Sequence, residues 1–183
     1  MFDKTITDHN EAINSLFKIK DKIVNAGNLL SSAINNGKKI LICGNGGSAA
    51  DSQHFAAEIV GRFGKERRAL PSIALTTDTS IITALTNDYS YEKVFERQVD
   101  ALGNEGDVLI AISTSGNSDN IIKAVEIAKQ KGIKTISLLG KDGGKQNNIA
   151  DISIIVSSKI TARVQEAHIL ILHLWAEIIE SNL

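Results

Sequence analysis

Five short runs rich in β-branched residues, separated by helical stretches, constrain this chain more than any other feature. They are KKILIC (38–43), SIALT (72–76), DVLIAI (107–112), KTISLL (134–139) and DISIIV (151–156). Runs this short and continuously apolar suit strands buried on both faces, which a parallel sheet covered by helices requires. The intervening segments predict helices at about 49–62, 80–102 and 119–131, while GKDGGKQNNIA reads as a loop with at most a short helix. The fold class expected is therefore α/β, a doubly wound five-stranded parallel sheet of order 2-1-3-4-5.

Two long helices flank this core. Ile13, Leu16, Ile19, Ile23, Ala26, Leu30 and Ala33 recur every three or four positions, and Gly37 offers a stop. The last helix, about 160–181, is apolar nearly all round, from Val164 through Leu170, Leu174 and Trp175 to Ile179. Such a helix is buried, and in a chain of 183 residues part of that burial is expected from another subunit. An oligomer is the expectation, with the N-terminal helix as a second contact.

Composition excludes several function classes. A net charge of −1 gives no footprint for nucleic acid or an anionic membrane. The single cysteine, Cys43, makes no internal disulfide and ends an apolar run, which reads as a buried structural thiol in a reducing compartment. No signal peptide and no membrane-length apolar segment is evident, so a cytoplasmic protein without nucleic-acid or membrane partners is expected.

Two strand-to-helix turns could hold a ligand. GNGGS (44–48) follows the first strand and STSGNS (113–118) follows the third. Unpaired N–H groups and the positive dipole end make a helix N-terminus a natural anion site. Ser113, Thr114, Ser115 and Ser118 add hydroxyl donors without charge, as a neutral phosphate cradle would; helix capping explains STSGNS equally well. GNGGS is neither the GxGxxG fingerprint nor a P-loop. In a 2-1-3-4-5 sheet, however, strands 1 and 3 are neighbours at the switch point where ligands bind. Gly46 and Gly47 would then let a sugar-sized ligand lie against the backbone.

The helix after GNGGS carries His54 and Glu58 at i and i+4, on one face. A solvated surface pair has the same spacing. The last helix sets Gln165, Glu166, His168 and His173 in an otherwise apolar segment, where buried polar groups need partners. Three of the four histidines lie on these two helices, which favours a shared site, with His168 read as structural.

GNGGSAADSQH, STSGNS and RVQEAHILILH, with ALTTDTS (74–80) and TND (86–88), resemble the sugar isomerase (SIS) domain over nearly the whole chain. Within it the pattern is similar to the phosphoheptose isomerases. The resemblance implies one SIS domain over 1–183, with a flavodoxin-like fold, an N-terminal oligomerisation helix at 1–37 and a sugar-phosphate-binding core at 38–183. It implies substrate contacts from Asn45, Gly46, Gly47, Ser48, Asn87, Asp88 and Gln165, and a phosphate grip by Ser113, Thr114, Ser115 and Ser118. It implies one zinc ion per subunit held by His54, Glu58, Gln165 and His173, an acid/base pair of Glu58 and His173, and homotetramers with active sites between subunits. The activity implied converts sedoheptulose 7-phosphate to D-glycero-D-manno-heptose 7-phosphate through an enediol, the first step of nucleotide-activated heptose biosynthesis. Arg62 carries no assigned role.

Gln165 and His173 are eight residues apart, about 12 Å along a helix and about 80° around it. Sharing one metal therefore requires a helix that begins late, or residues drawn from different copies of it. The second arrangement is favoured and makes oligomerisation a condition of activity. The rival readings are a non-catalytic SIS tetramer that binds the replication initiator protein, another sugar-phosphate enzyme such as a pentose phosphate isomerase or an amino-sugar phosphate lyase, and a sugar-phosphate sensor. The presence of both Glu58 and His173 argues against the scaffold.

Overall fold

The computed structural model describes residues 1–183. Its five strands are β1 (Ile40–Gly44), β2 (Ser72–Ala74), β3 (Val108–Ser113), β4 (Lys134–Gly140) and β5 (Ile152–Val156). They form one sheet of order β2-β1-β3-β4-β5, and every neighbouring pair is parallel. The expected topology is thus the observed one. The register sets Gly44 of β1 beside Ile112 of β3, so the turns after these strands leave the same end of the sheet side by side.

Both faces are covered. Ile40 and Ile42 point into a core closed by α2 (Lys20–Asn35), α3 (Gly47–Val60) and α7 (Thr161–Ser181). Leu41 and Cys43 point the other way, toward α5 (Val94–Leu102) and α6 (Asp119–Gln130). Alternate side chains of a strand face opposite sides of its sheet, which is why a continuously apolar run is needed for burial on both. Cys43 is fully buried and burial pushes its thiol pKa up, in line with the structural reading.

Two helical expectations need correction. The stretch 80–102 is not one helix: it divides into α4 (Thr79–Asp88), a short 3-10 turn (Tyr91–Lys93) and α5. The first piece has no fully buried residue and starts at Asp78, whose carboxylate accepts from the Ile81 N–H at 2.9 Å. The N-terminal helix begins earlier than the apolar repeat and is interrupted. α1 (Phe2–Ser15) precedes a 3-10 segment (Leu16–Ile19), then α2 follows. Periodicity alone misses such changes because apolar residues three apart, as at Ile13, Leu16 and Ile19, share a face in a 3-10 turn as well as in an α-helix.

α7 forms the centre of the helical layer on its face. Trp175 is fully buried and its indole N–H donates to the Ile23 carbonyl at 2.9 Å, fastening α7 to α2. A Cβ on Gly27 would meet Ile178 and Trp175, so the small residue permits the close helix contact.

Candidate active site

The site is best built from the first turn. Gly46 has φ +57° and ends the turn from β1 into α3. Gly46 and Gly47 are exposed, whereas Ser48 is buried, its N–H donating to the Asn45 carbonyl at 3.0 Å. A Cβ on Gly47 would collide with the Gln165 side-chain amide, which places Gln165 at the start of α3.

Asn45 is committed to a network. Its amide pairs reciprocally with that of buried Asn120 on α6, both hydrogen bonds at 2.9 Å, and its Oδ1 also accepts from the Tyr91 hydroxyl at 2.9 Å. This network ties the β1 turn to the helix that follows the Ser/Thr turn. Asn87 and Asp88 close α4 at the surface, where the Asn87 amide donates to the Asp88 carboxylate at 2.8 Å.

The second turn is folded tightly. Ser113 is buried, accepts from the Gly116 N–H at 3.1 Å, and sits 3.3 Å from the Ser118 hydroxyl. Ser115 accepts from the Asn117 N–H at 3.2 Å, and Thr114 beside it is half-buried. Ser118 occupies the N-cap position of α6, yet its side chain makes no capping hydrogen bond. Its hydroxyl is turned across the loop toward Ser113, so Ser118 does not cap α6 through its side chain. The loop after β4 supports this turn from behind: the Gln146 N–H donates to the Gly116 carbonyl at 2.9 Å, and the Lys145 N–H to Asn117 Oδ1 at 3.1 Å.

The acid/base candidates converge on one surface. His54 Nε2 lies 2.9 Å from His173 Nε2, and 3.3 Å from Glu58 Oε1. The rings of His54 and His173 are 5.0 Å apart, and Phe63 backs His173 at 5.3 Å. α3 and α7 run alongside one another, so Gln165 meets Gly47 at one end and His173 meets His54 further along.

α7 is continuous from Thr161 through both residues, which removes the late-starting helix from the two alternatives. Within one chain no group of three or more His, Cys, Asp or Glu side chains is set for a metal ion, and Gln165 stays with Gly47. The chemistry of the donors does suit one. The two Nε2 atoms face each other at 2.9 Å with Glu58 Oε1 adjoining, donor types that a transition-metal cation takes.

Sequence reading missed several neighbours. Asp51, one turn before His54, has a buried Oδ2 without a hydrogen-bond partner. Burial pushes its carboxyl up to about 6, with the His54 imidazole pulling the other way. Its i, i+3 spacing to His54 was the available signal. Phe63, Tyr91 and Asn120 carried none, because they reach the site through tertiary contacts.

His168 takes the expected structural place. It is fully buried, its Nε2–H donates to the Leu139 carbonyl at 3.0 Å, and burial holds its pKa down to about 4. A folded-state pKa below the ordinary 6.5 means the unfolded chain binds the extra proton, so this stability is lost as pH falls through that window. The stability of the wild type relative to His168→Leu is expected to drop between about pH 7 and about pH 4, measured by urea midpoints across the range.

Comparison with known proteins gives the same picture. The SIS domain family profile matches residues 6–140. A phosphoheptose isomerase of Aliarcobacter butzleri is 52% identical over 98% of this chain and 96% of its own. One from Helicobacter pylori is 52% identical over 100% and 95%. The structure of a phosphoheptose isomerase from Neisseria gonorrhoeae superposes with a TM-score of 0.89 at 43% identity, covering 99% of this chain and 100% of that one. With the fold, the two turns and the His54–His173–Glu58 cluster all in one chain at this level of similarity, the chain belongs to the SIS-domain family and, within it, to the phosphoheptose isomerases, aldose–ketose isomerases of sugar phosphates.

Proposed function

We propose that this chain interconverts sedoheptulose 7-phosphate and D-glycero-D-manno-heptose 7-phosphate, as the first step toward a nucleotide-activated heptose for lipopolysaccharide or capsule. The contact of His173 with His54, beside Glu58, is the observation that carries this reading. It sets a carboxylate and an imidazole against each other where α3 and α7 run side by side.

Ser113, Thr114, Ser115 and Ser118 hold the phosphate, with the exposed N-terminus of α6 adding its dipole. The sugar lies across Asn45, Gly46, Gly47 and Ser48, with Asn87, Asp88 and Gln165 contributing polar contacts. Glu58 removes a proton from C1 of the ketose. His173 supplies a proton to the C2 carbonyl oxygen, so the electron pair of the C1–H bond becomes the C1=C2 bond of a cis-enediol. Loss of the O1 proton and return of a proton to C2 then give the aldose. The reaction is balanced without an external oxidant.

His54, Glu58 and His173, which within the single chain are not yet set around an ion, would hold a divalent cation in the assembled protein, with zinc the suited metal and Gln165 the fourth donor. When bound, that ion supplies Lewis-acid polarisation of the substrate oxygens. Because α7 keeps Gln165 away from His173 in its own chain, the fourth donor comes from a second copy. That makes the protein an oligomer with shared sites, which we read as a cytoplasmic homotetramer. Supporting this, Ile13, Phe17, Val24, Leu170, Leu174 and Ile178 line an apolar groove of about 280 Å³ between the N-terminal helices and α7.

Turnover of sedoheptulose 7-phosphate by the purified protein tests the substrate assignment, and none at all would reject it. Mixed oligomers test the sharing. Glu58→Gln mixed with Gln165→Ala regains activity, whereas Glu58→Gln mixed with His173→Ala does not, since both lesions fall in one chain's cluster.

A further inference from the structure

Seven residues beyond His173, α7 carries Glu180, a buried carboxylate that takes no part in the chemistry described above. Its Oε1 accepts from the Phe63 N–H at 2.8 Å and from Arg67 Nε at 2.9 Å. Its Oε2 accepts from the N–H groups of Gly64 and Lys65 at 2.9 and 3.0 Å. These donors hold the carboxyl far below its ordinary value, at about 2, against the opposing effect of burial.

Arg67 is equally committed. Its Nη2 donates to the Glu58 carbonyl at 2.8 Å, and its Nη1 to the carbonyls of Ile59 and Gly61, both at 3.0 Å. These carbonyls belong to the last turn of α3 and its C-terminal end, where they lack helical partners. One guanidinium thus grips the backbone of Glu58 on one side and the α7 carboxylate on the other.

We propose that Arg67 and Glu180 are positioning residues for the isomerase site. Together they lock α3 against α7 so that Glu58, His54 and His173 stand at working separation. The same clamp fixes Phe63, whose N–H binds Glu180 and whose ring backs the His173 imidazole. A planar fork with five donors makes this junction and an ammonium does not. This inference deepens the isomerase reading and rests on it for its kinetic consequence, but its geometric consequence stands alone.

Two variants test it. Arg67→Lys keeps the charge opposite Glu180 and gives up the fork. The double variant Arg67→Met with Glu180→Leu removes both ions together, which avoids stranding a buried charge, and circular dichroism checks that it folds. In folded Arg67→Lys, kcat for sedoheptulose 7-phosphate falls by about 10- to 100-fold, as displacements of about 1 Å at reacting groups produce. KM stays within about twofold, since the phosphate turn lies on β3 and does not touch the clamp. Crystal structures of both variants, at the same metal content as the wild type, show His173 displaced by about 1 Å from its wild-type position relative to His54 and Glu58.

A purely structural pair would lower the melting temperature and leave the kcat of folded protein unchanged. Unchanged kcat in either folded variant, or imidazoles at their wild-type separation, overturns the proposal. If the wild type itself turns over no sugar phosphate, the substrate reading fails separately, and the imidazole separation alone decides the clamp.

Discussion

Glu58→Gln is expected to fold normally and to lose about 10²- to 10⁴-fold in kcat, the range associated with a positioned general base. Glutamine keeps the shape of the side chain, so a fall in turnover reports the lost carboxylate rather than altered packing, and the metal content of the purified variant separates its part as proton acceptor from its part as ligand. Glu58 is half-buried beside the exposed face of His54, where its removal leaves no cavity in the core. His173→Ala is expected to fall as far. Its ring lies on His54 and Phe63 at the edge of the helical layer, away from fully buried Trp175 two residues on. Turnover of sedoheptulose 7-phosphate, with circular dichroism to confirm the fold, checks both. Near-normal kcat in either variant would remove that residue from the proton-transfer steps.

The second large effect belongs to Gly116. This residue has φ +66°, and a Cβ there would run into the backbone carbonyl of Gly143. Backbone cannot swing aside as a flexible side-chain tip can. A left-handed conformation alone costs a non-glycine residue about 1–2 kcal/mol. In Gly116→Ala the STSGNS turn must therefore separate from the loop after β4 and give up the Gln146-to-Gly116 hydrogen bond. Each hydrogen bond lost to a charged phosphate is worth about 1.5–3 kcal/mol, or roughly 10- to 100-fold in affinity. The expected outcome is a KM raised by that factor with kcat far less affected, the reverse of the Glu58 result. A product inhibition constant for the heptose phosphate should rise in parallel. An unchanged KM would mean that the turn does not hold the phosphate.

The two results divide the site along its construction. On the proposed reading, β3 and its turn would supply grip and α3 and α7 proton transfer, and the Asn45–Asn120 pairing ties the β1 turn to α6. Asn45 has both ends of its amide engaged in that pairing and a further bond from Tyr91, so it holds the two turns together. Asp51, held near 6 with an unpartnered buried oxygen, lies one turn from His54 and adds a second acidic group to this face.

Much of this was legible from residue order alone. The five apolar runs, the hydroxyl-rich turn and the i, i+4 spacing of His54 and Glu58 are local patterns, and local patterns are what a sequence states directly. Strand order followed because a doubly wound sheet places strands 1 and 3 together at its switch point. The break between α4 and α5 was not legible, since both pieces carry helical periodicity and only the chain's path over the β1 turn separates them. The clamp was less legible still. Arg67 and Glu180 are 113 residues apart, and nothing near either one announces the other.

By itself, then, the sequence determined the layers, the topology and the chemical types present, because burial on two faces and helical spacing are imposed by neighbours a few residues away. Tertiary structure alone decided which groups meet. His173 lies on His54 while Gln165 lies on Gly47 because two helices pack side by side in one register, and register between distant segments is set by the whole interface.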